Sequence, residues 1–142
     1  MNREILFRGA RVCDGKMVNG ALVMVKENDE SEKYIPNIVI SYGPDTFDWF
    51  EVDPETVGQF TGLTDKNGNK IFEGDVFEFP KHNVRFVVKY NEKRHQFCIA
   101  HPDELDLKYF NPWQCPDESW IEEFMKDAVL IGNIHDNKGL LK

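Results

Sequence analysis

Positive charge is scarce in this sequence. Its 142 residues include 17 Lys and Arg against 25 Asp and Glu, which gives a formal net charge of −8. A protein that binds phosphate backbones in general needs clustered cations to displace counterions. The charge balance therefore disfavours nucleic acid as a partner, although it leaves room for a small basic patch.

Cysteine and long apolar runs are scarce as well. Cys13, Cys98 and Cys115 form an odd set without a CxxC pair, which predicts reduced thiols and no disulfide framework. Residues 1–4 lack the apolar stretch of a signal peptide, and no segment approaches the roughly 20 apolar residues of a membrane helix. These absences together predict a cytoplasmic protein that has no membrane partner.

The apolar side chains that are present suit strands better than helices. Val, Ile, Phe, Tyr, Trp and Thr total 43, against 16 for Ala, Leu and Met, and β-branched and aromatic residues pack well on a pleated sheet. A chain of this length is typical of one domain. We therefore predict a single α+β, mostly β domain over residues 1–142, built on a strongly bent antiparallel sheet or a small barrel.

One helix is expected in the C-terminal half, at about residues 117–127. Pro116 precedes Asp117, whose side chain is suited to capping the N-terminus of a helix. From Trp120 to Ala128, apolar residues then recur at the spacing of one helix face. We expect this helix to pack on the sheet.

Two segments that contain glycine predict turns. The Asn67-Gly68 step is typical of a type I′ hairpin turn, in which Gly68 takes a positive φ. In Glu73-Gly74-Asp75 two acids flank a glycine, a pattern typical of a bend. We expect Gly74 to lie at that bend and one of the two carboxylates to accept backbone N–H groups nearby.

Four segments along the chain share one resemblance. They are residues 7–9 (FRG), 56–68 (TVGQFTGLTDKNG), 71–75 (IFEGD) and 131–137 (IGNIHDN), the last followed by Leu140-Leu141. In this order they resemble the YopX family of phage and prophage proteins. The chain departs from the family pattern at Met17, where Trp is common, and at Lys138-Gly139, which replaces a Pro-acidic pair. The resemblance implies a phage-related origin and self-association, and it implies no reaction.

The best acid–base candidates are Glu73, Asp75, His135 and Asp136. Pairs of carboxylates can separate their pKa values and serve as general acid and base, which makes these four residues weak catalytic candidates. The alternative, which we favour, is that carboxylates at a bend cap backbone N–H groups. No Walker loop, HExxH motif or nucleophile elbow accompanies them, so we expect no cofactor.

We expect no metal site. A calcium loop counted from Asp65 puts Lys70 and Val76 where a Gly and a bidentate acid are needed. A zinc site would have to combine Cys98 and Cys115 with histidines, and only one short pair is present, Cys98 with His101, where structural zinc usually has paired short intervals. Those histidines are His82, His95 and His101.

A basic strip over residues 81–95 is the feature that favours nucleic acid. Its cations alternate with aromatic side chains, as in small barrels that bind single strands. Alternation along a strand, however, puts Phe86 and Tyr90 on the opposite face from Arg85 and Lys89. We expect these cations to lie on a solvated strand face.

These observations rank three hypotheses. The leading one is a non-enzymatic phage or prophage accessory protein that binds an unidentified phage or host protein and forms homo-oligomers. Unpaired sheet edges are templates for association, and the surplus aromatic residues Trp49, Trp113 and Trp120 favour it as well. The second is a nucleic-acid-associated module that uses residues 81–95. The third is an enzyme of unrecognised type that uses Glu73 and Asp75.

Overall fold

The computed structural model describes residues 3–81, 83–93, 95–100 and 126–136. This part of the chain contains ten β-strands and a short 3₁₀ helix at Pro54–Thr56. The chain falls into two compact units, Met1–Gly62 and Leu63–Lys142. The strands are β1 (Phe7–Ala10), β2 (Met17–Lys26), β3 (Tyr34–Gly43), β4 (Thr46–Glu51), β5 (Gly58–Thr64), β6 (Lys70–Phe72), β7 (Asp75–Phe79), β8 (Val84–Asn91), β9 (Gln96–Ala100) and β10 (Val129–Asn133).

The first unit is built on an antiparallel sheet. β1 pairs with β2 and with β5, β2 pairs with β3, and β3 pairs with β4. The strand order is β4-β3-β2-β1-β5, and β6 follows β5 at the end of this sheet. Side chains alternate between the two faces of such a sheet. Ile38 is fully buried on the inner face, and Phe50 lies directly opposite it on β4.

The first sheet is strongly bent. The bridge between Arg11 and Val52 joins the end of β1 to the end of β4, although these two strands lie three places apart in the sheet. The N–H of Val12 donates to the carbonyl of Glu51 at 3.0 Å at the same point. A Cβ atom at Gly9 would lie 2.8 Å from the Cβ of Val52, so glycine leaves the space in which Val52 packs.

The second unit contains the sheet β10-β7-β8-β9, in which β7, β8 and β9 form the expected antiparallel meander. Both faces of this sheet are buried. One face carries Val76, Val87 and Cys98, each with at most 2% of its surface exposed, and the other face carries the core cluster. The core cluster comprises Ile71, Phe77, Val88, Ile99 and Ala128, with Phe79, Phe86 and Leu130 packed against it.

The mostly β, antiparallel prediction is confirmed. The barrel alternative is wrong, because the chain forms two sheets with open strand orders, ending at β4 and β6 in the first and at β10 and β9 in the second. Residue alternation and turn residues locate strands, but they do not say which strands share a sheet. The prediction of one domain over residues 1–142 stays a prediction.

The predicted helix at about 117–127 falls almost wholly outside the described residues. Of its span, only Lys126 and Asp127 are described, and these two have helical backbone directly before β10. Within the described ranges there is no complete α-helix. The structure therefore does not support the helix, whose amphipathic pattern records only which side chains are apolar.

The cysteines depart from the expectation of three reduced thiols. Cys13 is free and exposed, as expected, but Cys98 is disulfide-bonded. An odd cysteine count excludes a full disulfide framework without excluding a single bond. In the part of the chain that the structure describes, no helix is long and apolar enough to cross a membrane.

Candidate functional site

The loop after β5 is a tight turn closed by Asp65. The N–H of Gly68 donates to the carbonyl of Asp65 (3.0 Å), and the N–H of Asp65 donates to the carbonyl of Asn69 (2.8 Å). Gly68 has a φ of 82°, so its predicted positive φ is confirmed. The type I′ prediction is wrong, because Asn67 lacks the positive φ that this turn requires of its first central residue. The centre of the turn is Lys66-Asn67, and Gly68 follows it.

The Asp65 carboxylate holds this turn together. It accepts the backbone N–H groups of Asn67 (2.9 Å) and Asn69 (2.8 Å) and the side-chain amide of Asn69 (2.9 Å). Burial raises the pKa of Asp65, but the hydrogen bonds from Asn69 and Asn67 outweigh it and leave the pKa below its usual value. These donors give the carboxylate a structural role in place of the calcium-binding one.

The next turn contains the Glu73-Gly74-Asp75 segment. Gly74 has a φ of 91°, and its N–H donates to the carbonyl of Val88 at 2.8 Å. The Asp75 side chain is 2% exposed, and its Oδ2 accepts the N–H of Phe72 at 2.8 Å. Both predictions for this segment, the bend at Gly74 and a carboxylate that accepts a backbone N–H, are confirmed.

A third turn follows β10 and is organised by Asn133. The side-chain oxygen of Asn133 accepts the N–H groups of His135 and Asp136, each at 2.9 Å. Its amide group donates to the Asp136 carboxylate, also at 2.9 Å. Asp136 therefore closes the turn with its side chain as well as with its backbone.

The pairing of β7 with β10 brings the second and third turns together. Asn133 lies directly opposite Asp75, and the N–H of Ile134 donates to the carbonyl of Gly74 at 2.9 Å. A Cβ atom on Gly74 would lie 3.5 Å from Nε2 of His135. The four acid–base candidates named from the sequence thus belong to one cluster, which we call the turn cluster (residues 72–75 and 133–136).

The chemistry of the turn cluster favours a structural role. Two of its candidates, Asp75 and Asp136, accept hydrogen bonds that fix their own turns. Glu73 is half-buried, and desolvation raises its pKa while the nearby charge of Lys89 partly opposes the rise. A carboxyl group with a raised pKa can serve as a general acid, but here the adjoining carboxylate is used by the fold.

Among residues 3–81, 83–93, 95–100 and 126–136, no three His, Cys, Asp or Glu side chains lie together in a way that could hold a metal ion. Most residues of the zinc alternative lie outside the described residues, namely His82, His101 and Cys115. His95 is exposed and has a φ of 54°.

The basic strip is partly neutralised. Lys81 forms an ion pair with Asp127 at 3.3 Å, and Arg85 forms one with Glu78 at 3.0 Å. Val87, which shares a strand face with Arg85, is fully buried. The face is thus less solvated than expected, and it offers fewer unpaired cations to a phosphate backbone.

The outer face of the first sheet carries exposed apolar side chains. Trp49 is 56% exposed, Phe47 50% and Val25 39%, and the register places Val39 opposite Trp49 and Ile35 opposite Val25. Exposed apolar side chains grouped on one face of a domain mark an interaction surface. We call these five residues the outer apolar patch.

Sequence reasoning named Trp49 as a surplus aromatic residue that favours self-association, but it did not predict the patch as a whole, although a signal for it exists. The β4 sequence TFDWFE carries aromatic side chains on both faces, because Phe50 alternates with Phe47 and Trp49. A strand of an antiparallel sheet that has one solvated face normally carries polar residues there. Aromatic residues on both faces therefore predict that the second face meets a partner or stays exposed.

The chain around the outer apolar patch is strongly acidic. From Tyr34 to Asp65 it contains six Asp and Glu residues and no Lys, Arg or His. Within the described residues, none of the five acids before Asp65 takes part in an ion pair, and all five are exposed. They are Asp45, Asp48, Glu51, Asp53 and Glu55.

Comparison with known proteins identifies similarity in sequence and in fold. A family model described as YopX protein matches residues 6–142. The crystal structure of protein EF1440 from Enterococcus faecalis is similar to this chain with a TM-score of 0.55 and 21% identity, over 99% of this chain and 100% of that chain. At this identity the likeness shows the fold alone. No curated protein sequence matches.

Proposed function

The chain belongs to the YopX family, and from this premise we propose that it is a non-enzymatic phage or prophage accessory protein that acts by binding proteins. Its partners are a phage or host protein and further copies of the same chain, and it acts in the bacterial cytoplasm. The single observation that carries the proposal is the outer apolar patch, where Trp49 and Phe47 keep half or more of their surface exposed.

The energetics of the patch support protein binding. Burying apolar surface stabilises an association by about 25 cal/mol for each Å² removed from water, and aromatic side chains contribute much of the binding energy at protein interfaces. A folded protein exposes such a group of side chains at a cost in solubility, which an interaction would offset. The acids around the patch keep the free protein apart from polyanions.

The two other hypotheses rank below this one for physical reasons. The ion pairs of Lys81 and Arg85 leave less charge for a nucleic acid, and the net charge of −8 opposes a polyanion. Catalysis by the turn cluster would need carboxylates that are available to a substrate, whereas Asp75 is buried and accepts a main-chain N–H.

Light scattering at micromolar concentration tests the self-association part of the proposal. We expect a mass above the 16.6 kDa of one chain, and a smaller mass for Trp49→Ser because that variant removes the largest ring of the patch. Tyr90→Ser is the matched control, since Tyr90 is an exposed aromatic residue (41%) on the second sheet. A mass of one chain at every concentration would contradict self-association.

A further inference from the structure

We propose that the free edge of β4 docks an extended, positively charged segment of another protein, which adds to the first sheet as a further strand. The proposal deepens the proposed function, since it names the kind of partner and the way in which that partner binds. It rests on three observations about the same six residues, Thr46–Glu51: their main-chain groups, their rings and their charge.

The first observation is the direction of the main-chain groups at the end of β4. The N–H of Val52 donates to the carbonyl of Pro36, next to β3, at 3.1 Å, whereas the carbonyl of Glu51 accepts the N–H of Val12 from the opposite side. Successive residues of an antiparallel strand alternate in this way between their two neighbours. The pairing of β3 with β4 is regular from Glu51 back to Phe47, so the alternation continues along β4.

The alternation leaves a template for pairing. Phe50 and Asp48 direct their N–H and C=O groups toward β3, and Trp49 and Phe47 direct theirs away from it. Among the described strands, β4 is the end of the sheet and pairs with β3 along its length, and the segment after β1 reaches its other side only at Glu51 and Val52. Outward N–H and C=O groups on an edge strand are the groups that an added strand binds.

The second observation is that the same two residues expose their rings. Trp49 and Phe47 lie on the outer face, so an added strand that bonds to their main chain places its alternate side chains beside both rings. In such additions the main chain contributes affinity and the side chains contribute specificity. Long aliphatic stems that end in a cation suit an aromatic surface of this kind.

The third observation is charge, and it decides the occupant. Asp45, Asp48 and Glu51 are exposed acids on or beside β4, without a cation in the chain from Tyr34 to Asp65. If the edge paired antiparallel with the β4 of a second copy so that Phe47 lay opposite Trp49, Asp48 would face Asp48. In the same register Asp45 would face Glu51, and like charges opposite each other destabilise a strand pair. A segment rich in Lys or Arg would instead neutralise them. The edge therefore suits a cationic partner, and copies of the chain associate elsewhere on the outer face.

The test uses the full chain and a peptide probe. The probe is a fluorescent peptide about eight residues long, the length of an ordinary strand, with alternating lysine and valine and blocked ends. A matched peptide replaces each lysine with glutamate. Fluorescence anisotropy should show saturable binding of the lysine peptide that weakens with added salt, and about tenfold or more weaker binding of the glutamate peptide.

A pair of variants isolates the main-chain contribution. Phe47→Pro removes the outward N–H, which β3 does not use, and proline is tolerated at such an edge position. Phe47→Ala removes the same ring and keeps the N–H. We expect the lysine peptide to bind Phe47→Pro about tenfold more weakly than Phe47→Ala, with equal thermal midpoints as evidence that both variants fold.

Each remaining outcome overturns the proposal. If neither peptide binds, if both bind equally, or if Phe47→Pro and Phe47→Ala bind alike, β4 does not dock a cationic strand. A further outcome is a rise in the mass of the protein with its concentration. If Phe47→Pro abolishes that rise and Phe47→Ala does not, the edge binds a second copy of the chain and the proposal is overturned. The proposed function fails separately, since the light-scattering mass of the wild-type chain is measured without any peptide.

Discussion

Single residues explain why the most recognisable segment of this sequence serves the fold. Asp75 is a charged residue with 2% exposure, and a buried carboxylate is tolerated only when hydrogen bonds satisfy it. It accepts the N–H of Phe72, the last residue of β6. Asn133 has the matching role for the backbone after β10. Polar side chains here replace main-chain pairing at two adjoining turns.

Substitution of Asp75 distinguishes this role from a catalytic one. Asp75→Ala should lower the free energy of unfolding by about 1–2 kcal/mol, because it leaves a buried N–H without its acceptor. Asp75→Asn keeps an oxygen in place and should lose less. Chemical denaturation of the two variants measures both values. A neutral or stabilising Asp75→Ala would return Asp75 to the catalytic candidates, since active-site carboxylates can be removed at a gain in stability.

Gly68 offers a test of backbone strain that is free of packing effects. A Cβ at Gly68 would meet nothing within 4 Å, but its φ is 82°. We expect Gly68→Val to destabilise the protein by about 1–2 kcal/mol through strain alone. Gly43→Val is the control, because a Cβ at Gly43 also meets nothing and its φ is not in the left-handed region. Equal thermal midpoints for the two variants would refute the strain argument.

The raised pKa of Glu73 predicts that the stability of the protein depends on pH. Burial raises its pKa above the ordinary 4.5 in the folded protein, so the folded state binds the proton more tightly than the unfolded chain does. Its contribution to stability is therefore present below the ordinary pKa and is lost as the pH rises through the folded pKa. Glu73→Gln should be more stable than the wild type at neutral pH and should lose that advantage in acid. If the stability advantage of Glu73→Gln over the wild type instead grew as the pH fell, the predicted direction of the pH dependence would be wrong.

At the level of elements, the bend of the first sheet depends on close approach between β1 and the end of β4. A side chain at Gly9 would overlap the side chain of Val52, and Val52 is fully buried. The bridge between Arg11 and Val52 holds the same two segments together. The packing of Val52 in the inner core of the first unit thus depends on the absence of a Cβ atom at Gly9.

A double-mutant cycle measures this contact. Gly9→Ala should destabilise the protein by about 1–3 kcal/mol, the usual effect of extra volume in a packed core. The same substitution should cost less in a Val52→Ala background, where the overlapping methyl groups are gone, although Val52→Ala itself leaves a cavity. Additive effects in thermal or chemical denaturation would show that the two residues do not touch.

Local patterns predicted the elements that depend on neighbours in the sequence. The meander of β7 to β9, the positive φ of Gly68 and the bend at Gly74 follow from alternation and from glycine. The turn type at Gly68 could not be predicted, because Asn-Gly suits a two-residue loop as well as the end of a longer one, and the bonds of Asp65 decide between them. The division into two sheets depends on pairings between distant residues.

The residues of the candidate site could be predicted from the sequence, but their burial could not. The four acid–base candidates do come together, because β7 pairs with β10 and sets Asn133 opposite Asp75. Their use in turns follows from burial, which the sequence does not display. Trp49 was expected to favour self-association, but the outer apolar patch could not be predicted, because only the register shows that Trp49 and Phe47 share the outer face.

For the whole molecule, the central claim is that binding occurs on the outer face of β2 to β4 and at its β4 edge, and that the turn cluster does not take part. The family match covers both units, yet within the residues that the structure describes, most of the exposed aromatic residues lie in the first unit, as do the five exposed acids from Asp45 to Glu55. A surface that is both apolar and acidic excludes polyanions and admits proteins. The claim therefore states which surface of the molecule partners bind.

Amide hydrogen–deuterium exchange at two protein concentrations tests this claim most directly. In the dilute protein the outward amides of Phe47 and Trp49 should exchange quickly, since none of the described strands covers them. A hundredfold increase in concentration shifts any self-association by mass action and should slow exchange within residues 34–51, while residues 72–77 keep their rates. Slower exchange confined to residues 72–77 and 131–136, with 34–51 unchanged, would contradict the account.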